Sequence, residues 1–192
     1  MRNGAADDDQ VTRWAQQAGR GDRQAATEFV RALQDQVWRF VSHLAGPGEA
    51  DDLTQETFLR AFRNLPGFAG RSSARTWVFT IARRVAVDHV RTVVARPRLA
   101  SVPDWQAAAE AAGAITASAD ERVSLQQVVA GLSRERREAF VATQVLGLSY
   151  AEAADVCQCP VGTIRSRVAR AREDLVAAWQ ADTDPSHERR TG

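Results

Sequence analysis

Ser149-Tyr150-Ala151-Glu152-Ala153-Ala154-Asp155-Val156-Cys157-Gln158-Cys159-Pro160-Val161-Gly162-Thr163-Ile164-Arg165-Ser166-Arg167-Val168-Ala169-Arg170-Ala171-Arg172 is the stretch that decides the fold. Ser149 and Glu152 have capping-box spacing, which starts a short helix ending near Val156. Cys157, Gln158 and Cys159 follow as a turn. Pro160 suits a first helical position, where its missing N–H leaves no bond unmade. The second helix runs to about Trp179. Ile164, Val168 and Ala171 form its inner face, and Arg165, Ser166, Ala169 and Arg170 lie toward the other side. A short helix, a three-residue turn and an Arg-rich helix make the helix-turn-helix pattern. Gly162, Ser166 and Ala169 are small enough to allow close approach to a groove. Thr163 and Arg165 would then reach base edges, and the other Arg would reach phosphates.

Working outward, Leu125, Val128, Val129 and Leu132 form an apolar stripe that opens this module near residue 120. Ser133 is placed to cap a helix running from Arg134 to Leu146, and Gly147 suits its left-handed C-terminal position. Residues 95–119 differ: Pro97, Pro103, a lone Trp105 and an Ala-rich run read as a flexible linker. The N-terminal half is helical by period. Val11, Trp14, Ala15 and Ala18 begin it, and Ala26, Phe29, Val30, Leu33, Val37, Val41 and Leu44 continue it. Gly46-Pro47-Gly48 breaks the chain, and Glu49, Asp51 and Asp52 crowd the first turn of the next helix, where the dipole favours them. That helix runs to about Asn64. After a loop at 68–73, Ser72 or Ser73 caps a helix striped by Ala74, Trp77, Val78, Ile81, Ala82 and Val85, fading near Val94. The expected fold is all-α, with small helical domains at 11–94 and 120–180. Residues 1–10 and 181–192 are expected to be disordered. The two modules are expected to sit loosely relative to each other in the free chain.

Composition narrows the function classes. The 192 residues, 44% hydrophobic and 26% charged, suit one ordinary domain or two small ones. No run of 18 apolar residues encodes a membrane span, and no apolar h-region marks a signal peptide, so a cytoplasmic protein is expected. Net charge is +1, and all 25 basic residues are Arg. Nine Arg and one acid, Asp88, lie between 60 and 98; four Arg and no acid lie between 156 and 172. The acids gather between 7 and 56. Two basic zones and a separate acidic zone point to two nucleic-acid surfaces and one different partner. Cys157 and Cys159 have no His near them and read as packing and turn residues. His43, His89 and His187 are scattered and no phosphate-binding Gly-rich loop is present, so no metal, cofactor or catalytic site is expected.

The motifs resemble those of extracytoplasmic-function sigma factors. Residues 147–154 followed by 159–167 look like region 4 of that family, and Ala50-Asp51-Asp52-Leu53-Thr54-Gln55-Glu56-Thr57-Phe58 resembles the region 2 helix that docks on RNA polymerase. Residues 68–91, with Ala74-Arg75-Thr76-Trp77 and Ile81-Ala82-Arg83-Arg84, resemble the segment that melts and reads the −10 element. The resemblance covers roughly 11–175, and Arg71-Ser72-Ser73-Ala74-Arg75-Thr76-Trp77 with Cys159-Pro160-Val161-Gly162-Thr163 is most like the actinobacterial sigma C subgroup. It implies that Asp51, Asp52, Leu53, Gln55, Glu56 and Phe58 bind core polymerase, with Leu53 and Phe58 equally suited to the core. It implies that Phe68, Arg71, Ser72, Arg75, Trp77, Arg83, Arg84, Asp88 and Arg91 meet melted −10 DNA, Trp77 also being suited to core packing. Pro160, Val161, Gly162, Thr163, Arg165, Ser166, Ala169 and Arg170 would meet duplex −35 DNA. Implied partners are core RNA polymerase and promoter DNA, and an anti-sigma protein is a family expectation that no residue here identifies. Two departures stand out. Arg84 stands where the family often has Asn, and Cys157-Gln158 where many members have Leu-Gly, which predicts a positive φ at Gln158. A free-standing helix-turn-helix regulator would explain the second module but not the helix around 51–58.

Overall fold

A computed structural model describes residues 4–95 and 127–183, and the regular structure in them is all helical. Four helices make the first half: α1 (Gly4–Gly19), α2 (Arg23–Ala45), α3 (Ala50–Asn64) and α4 (Ala74–Ala95). In the second half a helical turn at 127–131 precedes α5 (Arg134–Phe140), α6 (Tyr150–Cys157) and α7 (Val161–Thr183). The linker expected at 95–119 lies outside the described residues apart from Ala95. Helix α1 starts at Gly4, so part of the segment expected to be disordered is helical; Thr12 Oγ1 donates to the Asp8 carbonyl at 2.8 Å within it. Helix α7 likewise outruns Trp179, reaching Thr183.

Local chemistry sets the boundaries. Asp22 caps α2, accepting from the amides of Gln24 and Ala25 at 2.9 and 3.0 Å. Ser73, of the two candidate caps, takes the amide of Thr76 at 3.1 Å. Ser133 stands at the N-cap of α5 without a side-chain hydrogen bond. The helix expected to run from Arg134 to Leu146 changes pitch: Val141–Val145 is a π-helical turn, closed by the Leu146 amide on the Val141 carbonyl at 3.0 Å. The wider turn keeps Val141, Ala142 and Leu146 all buried.

Phe29, Leu33, Val37, Phe40 and Val41 of α2 line the centre of the first half, with Phe40 edge-on to Phe79 of α4 at 5.4 Å. Burial of such side chains contributes about 1.5–3 kcal/mol each. The core does not stop at the module boundary. Leu146, Leu148, Ala153 and Ala154 join the same apolar cluster as Val78, Phe79 and Ala82, because α4 packs on α6. The modules are therefore docked, against the expected loose placement. The docking contact holds polar pairs as well: Arg83 Nε donates to Glu138 Oε2 at 2.7 Å, and Thr76 Oγ1 donates to Glu152 Oε1 at 3.4 Å.

Candidate nucleic-acid and protein interfaces

The turn between α6 and α7 has the capping box and the left-handed residue its sequence predicts, while Pro160 stands one position before the first helical residue expected for it. Ser149 Oγ accepts the Glu152 amide at 3.2 Å, and Glu152 returns the bond to the Ser149 amide at 2.8 Å. Gln158 ends α6 at φ 53° and ψ 48°, the left-handed conformation. Pro160 stands one residue before α7, its carbonyl accepting the Thr163 and Ile164 amides at 2.9 and 3.2 Å. Ile164, Val168 and Ala171 are buried, which rolls the opposite face of α7 outward. Pro160, Val161, Gly162, Arg165, Ser166, Ala169 and Arg170 are all exposed, and Thr163 is half-buried. A Cβ on Gly162 would meet nothing within 4 Å. The face offers two guanidinium groups, a hydroxyl and small side chains on one helix, a shape a major groove admits.

Helix α3 presents Asp51, Asp52 and Gln55 to solvent, with Glu56 half-buried and held by Arg60 at 2.7 Å. Leu53 is only 6% exposed, so it belongs to the core and not to the presented face. Phe58 is also buried, edge-on to Phe29 at 6.2 Å, but it floors a groove of about 360 Å³ between α2 and α3. Leu59 and Phe62, 45% and 38% exposed, rim this groove beside Val30 and Gln34. Trp38, also exposed, donates its indole N–H to Asp51 Oδ1 at 2.8 Å. Sequence reading missed Trp38 on α2 and Leu59 and Phe62 on α3; for the last two, apolar residues on the helix carrying the acidic motif were the available signal.

The residues expected to meet melted DNA divide into two groups. Arg71, Arg84 and Arg91 are exposed, and Phe68 and Ser72 are half-buried at the loop before α4. Phe68 lies against Trp77 at 4.8 Å between ring centroids, so Trp77 is packed as well as partly open. Asp88 is exposed and paired with Arg60 at 3.3 Å. Arg75 and Arg83 instead turn into the docking contact. Arg75 donates to Gln36 Oε1 at 2.9 Å and to the Leu146 carbonyl, with Asp8 at 3.9 Å and the Phe79 ring at 5.7 Å. Arg83 pairs with Glu138, which is 1% exposed, and Arg134 approaches the other oxygen of Glu138 at 3.6 Å. Neither Arg75 nor Arg83 is open to a phosphate in this arrangement.

The cysteines fit the packing reading. Cys157 is buried, and its thiol is pushed up to about 12 by burial and then by Glu138, which leaves it a neutral side chain at ordinary pH. Cys159 is half-buried, with Arg167 at 3.6 Å. No group of three or more His, Cys, Asp and Glu placed to hold a metal occurs among the described residues. No helix among them is long and apolar enough to cross a membrane.

Two family descriptions match the chain: Sigma-70 region 2 over residues 29–95, and Sigma-70, region 4, over residues 122–175. The chain is similar to the ECF RNA polymerase sigma factor SigC of Mycobacterium tuberculosis, 48% identical over 180 residues, covering 93% of this chain and 96% of that protein. Its fold is similar to that of CnrH, solved in complex with the cytosolic domain of CnrY (TM-score 0.72, 24% identity, 91% of this chain and 99% of that one). It is also similar to that of the sigma factor RpoE of Bartonella quintana, solved with the anti-sigma factor NepR (TM-score 0.64, 23% identity, 81% of this chain and 97% of that one).

Proposed function

The chain belongs to the extracytoplasmic-function sigma factors, and on that premise we propose how its surfaces divide the work. As a sigma factor it binds core RNA polymerase and directs promoter-specific initiation. In our reading the first half, near 11–94, makes the principal polymerase contact and handles the −10 element. The second half, near 120–180, reads the −35 element as duplex. The polymerase supplies the chemistry and its metal ions, and the complex works in the cytoplasm.

The observation that carries this division is the open face of α7, with its inner face buried and Arg165, Ser166, Ala169 and Arg170 outward. Arg165 and Thr163 reach base edges there, and Pro160, Val161 and Gly162 let the helix start sit close to the groove. On the other half, Asp51, Asp52, Gln55 and Glu56 with the Leu59 and Phe62 rim form a mixed acidic and apolar surface for a polymerase helix pair. Apolar burial at the centre with charges around it suits a protein interface. Phe68, Arg71, Ser72, Arg84 and Arg91 gather ring, hydroxyl and cation for a single strand, whose bases stack and whose phosphates need neutralising. Extracting a base costs a few kcal/mol, which binding to polymerase offsets. A free-standing regulator is the weaker reading, because both matched regions lie in one chain.

The test is transcription in vitro from fragmented genomic DNA, with core polymerase supplied with and without the protein and RNA 5′ ends sequenced. New start sites preceded by spaced −35 and −10 motifs support the reading. No new starts, together with DNA binding by the protein alone, would favour the free-standing regulator.

A further inference from the structure

Between residues 60 and 98 the chain carries nine Arg and a single acid, Asp88. That acid stands among the cations. Arg84, Asp88 and Arg91 are spaced i, i+4 and i+7, so they share one ridge of α4, and all three are exposed. An acid so placed has two ready partners on its own helix, and Asp88 with Arg91 has the favourable order, acid toward the N-terminus. Asp88 Oδ2 instead accepts from Arg60 Nη1, across on α3, at 3.3 Å. Arg84 and Arg91 have no hydrogen-bond or ion-pair partner among the described residues. Arg60 is held for this reach. Its Nε donates to Glu56 Oε1 at 2.7 Å, one turn earlier on α3. The guanidinium is planar and rigid, so fixing Nε aims its remaining N–H groups, and one of them crosses to α4. Arg60 thus bridges an acid proposed for polymerase contact and the ridge proposed for the melted strand.

We infer that Arg60 is a positioning residue for strand binding and acts through Asp88. By holding that carboxylate on the α3 side, it leaves Arg84 and Arg91 free for phosphates. The inference rests on the reading of the α4 ridge as a strand-binding surface. Without Arg60, Asp88 turns to Arg91 on its own helix and occupies a cation. Its charge then also lies unneutralised beside the incoming phosphate. An ion pair between exposed groups adds little to the stability of a fold. What the Arg60–Asp88 pair contributes is therefore the charge pattern it leaves on α4: two open cations with the acid between them already neutralised.

The experiment uses holoenzyme assembled from the full chain and saturating core polymerase. Its ligand is a single-stranded non-template oligonucleotide carrying the −10 region of a start site mapped by transcription in vitro, titrated over a range of salt concentrations. Arg60→Ala is expected to weaken binding by on the order of fivefold, the worth of one charge contact at about 4 Å in water. The slope of log affinity against log salt is expected to fall by about 0.7, one phosphate contact fewer. Adding Asp88→Asn to the same chain is expected to restore both, since no carboxylate is left to occupy Arg91. Duplex −35 affinity and the denaturation midpoint of the free protein are expected to stay unchanged throughout. A loss in Arg60→Ala that Asp88→Asn does not restore overturns the inference, because Arg60 would then be a phosphate contact or a prop for α3. Wild-type affinity and slope in Arg60→Ala overturn it as well. Arg91→Ala tests the reading beneath it. If that variant leaves affinity and slope unchanged, the α4 ridge does not meet the strand and the surface reading itself fails. If it weakens binding while Arg60→Ala does not, only the inference about Arg60 fails.

Discussion

Gln158 shows what a single position discloses. Its place between a capped helix and a helix preceded by proline required a left-handed residue, and the observed φ of 53° meets that requirement without glycine. Its amide still donates to the Ala154 and Asp155 carbonyls, so the cap is made at the cost of strain. Left-handed backbone costs a non-glycine residue about 1–2 kcal/mol, partly offset by the greater chain entropy glycine loses on folding. Gln158→Gly is expected to raise stability by about 0.5–1 kcal/mol, read as a higher denaturant midpoint at unchanged slope; a lower midpoint would contradict the strain. Arg165 is the complementary case. It is exposed on α7, and no intramolecular bond depends on it among the described residues. Arg165→Ala is expected to weaken duplex −35 binding by about 1–3 kcal/mol while leaving melting temperature and core-polymerase affinity unchanged. Lost polymerase binding in a pull-down would refute that division of labour. Both positions were legible because their constraints are local. Arg75 and Arg83 were not, because their partners lie 71 and 55 residues away.

At the scale of the element, periodicity and caps carried most of the reading. The apolar stripes of α2 and α7 and the capping box of α6 follow from spacing of up to one turn. The failures have equally physical causes. The acid run near residue 8 looked like solvated coil, yet acids near a helix N-terminus favour the helix, and α1 starts at Gly4. The π turn at Val141–Val145 leaves Val141, Ala142 and Leu146 buried and Val145 exposed, a change of pitch with no local signature. Helix α3 shows a mixed result. Its acids face solvent as expected, while Leu53 is core and the apolar part of the surface is supplied by Leu59 and Phe62. Reversing charge with Asp52→Arg and Glu56→Arg is expected to lower polymerase affinity at least tenfold. Asp52 is exposed and Glu56 bonds only within its helix, so the fold should tolerate the change. Unchanged affinity in a binding titration would remove α3 from the docking surface.

The whole molecule turns on the contact between the halves. Glu138 sits in the run Arg134-Glu135-Arg136-Arg137-Glu138, yet it is only 1% exposed and paired across the contact with Arg83 of α4. A buried carboxylate needs its partner. Removing Arg83 leaves a charge with little water and only Arg134 near, a loss of about 3–5 kcal/mol for the docked arrangement. Arg83→Leu is expected to separate the halves, read as a larger radius of gyration in solution scattering. Arg83→Leu combined with Glu138→Leu is expected to restore the compact form, since an apolar pair replaces a buried ion pair well. An unchanged radius in the single variant would show that apolar packing alone holds the halves.

The same contact carries a pH dependence. His43, on α2, has its pKa held below the usual 6.5, first by burial and then by the positive charge of Arg137 on α5. A histidine with a depressed folded pKa resists protonation where the unfolded or undocked chain accepts it. Its contribution is therefore complete above about pH 6.5 and is lost as pH falls through the lower folded value. Denaturation midpoints and inter-half distance, followed from pH 7.5 to 5, are expected to show weakening on the acid side. In His43→Gln the part of that slope due to this residue disappears; a slope unchanged by the substitution would assign it to other groups. The contact matters for DNA because Arg75 and Arg83 are engaged in it while the outer face of α7 is open. Docked, the molecule leaves open the α7 face proposed to read duplex and engages two of the cations proposed for the single strand. Acidification should therefore raise single-strand affinity of the free protein more than duplex affinity, and an equal change in both would place Arg75 and Arg83 outside strand binding.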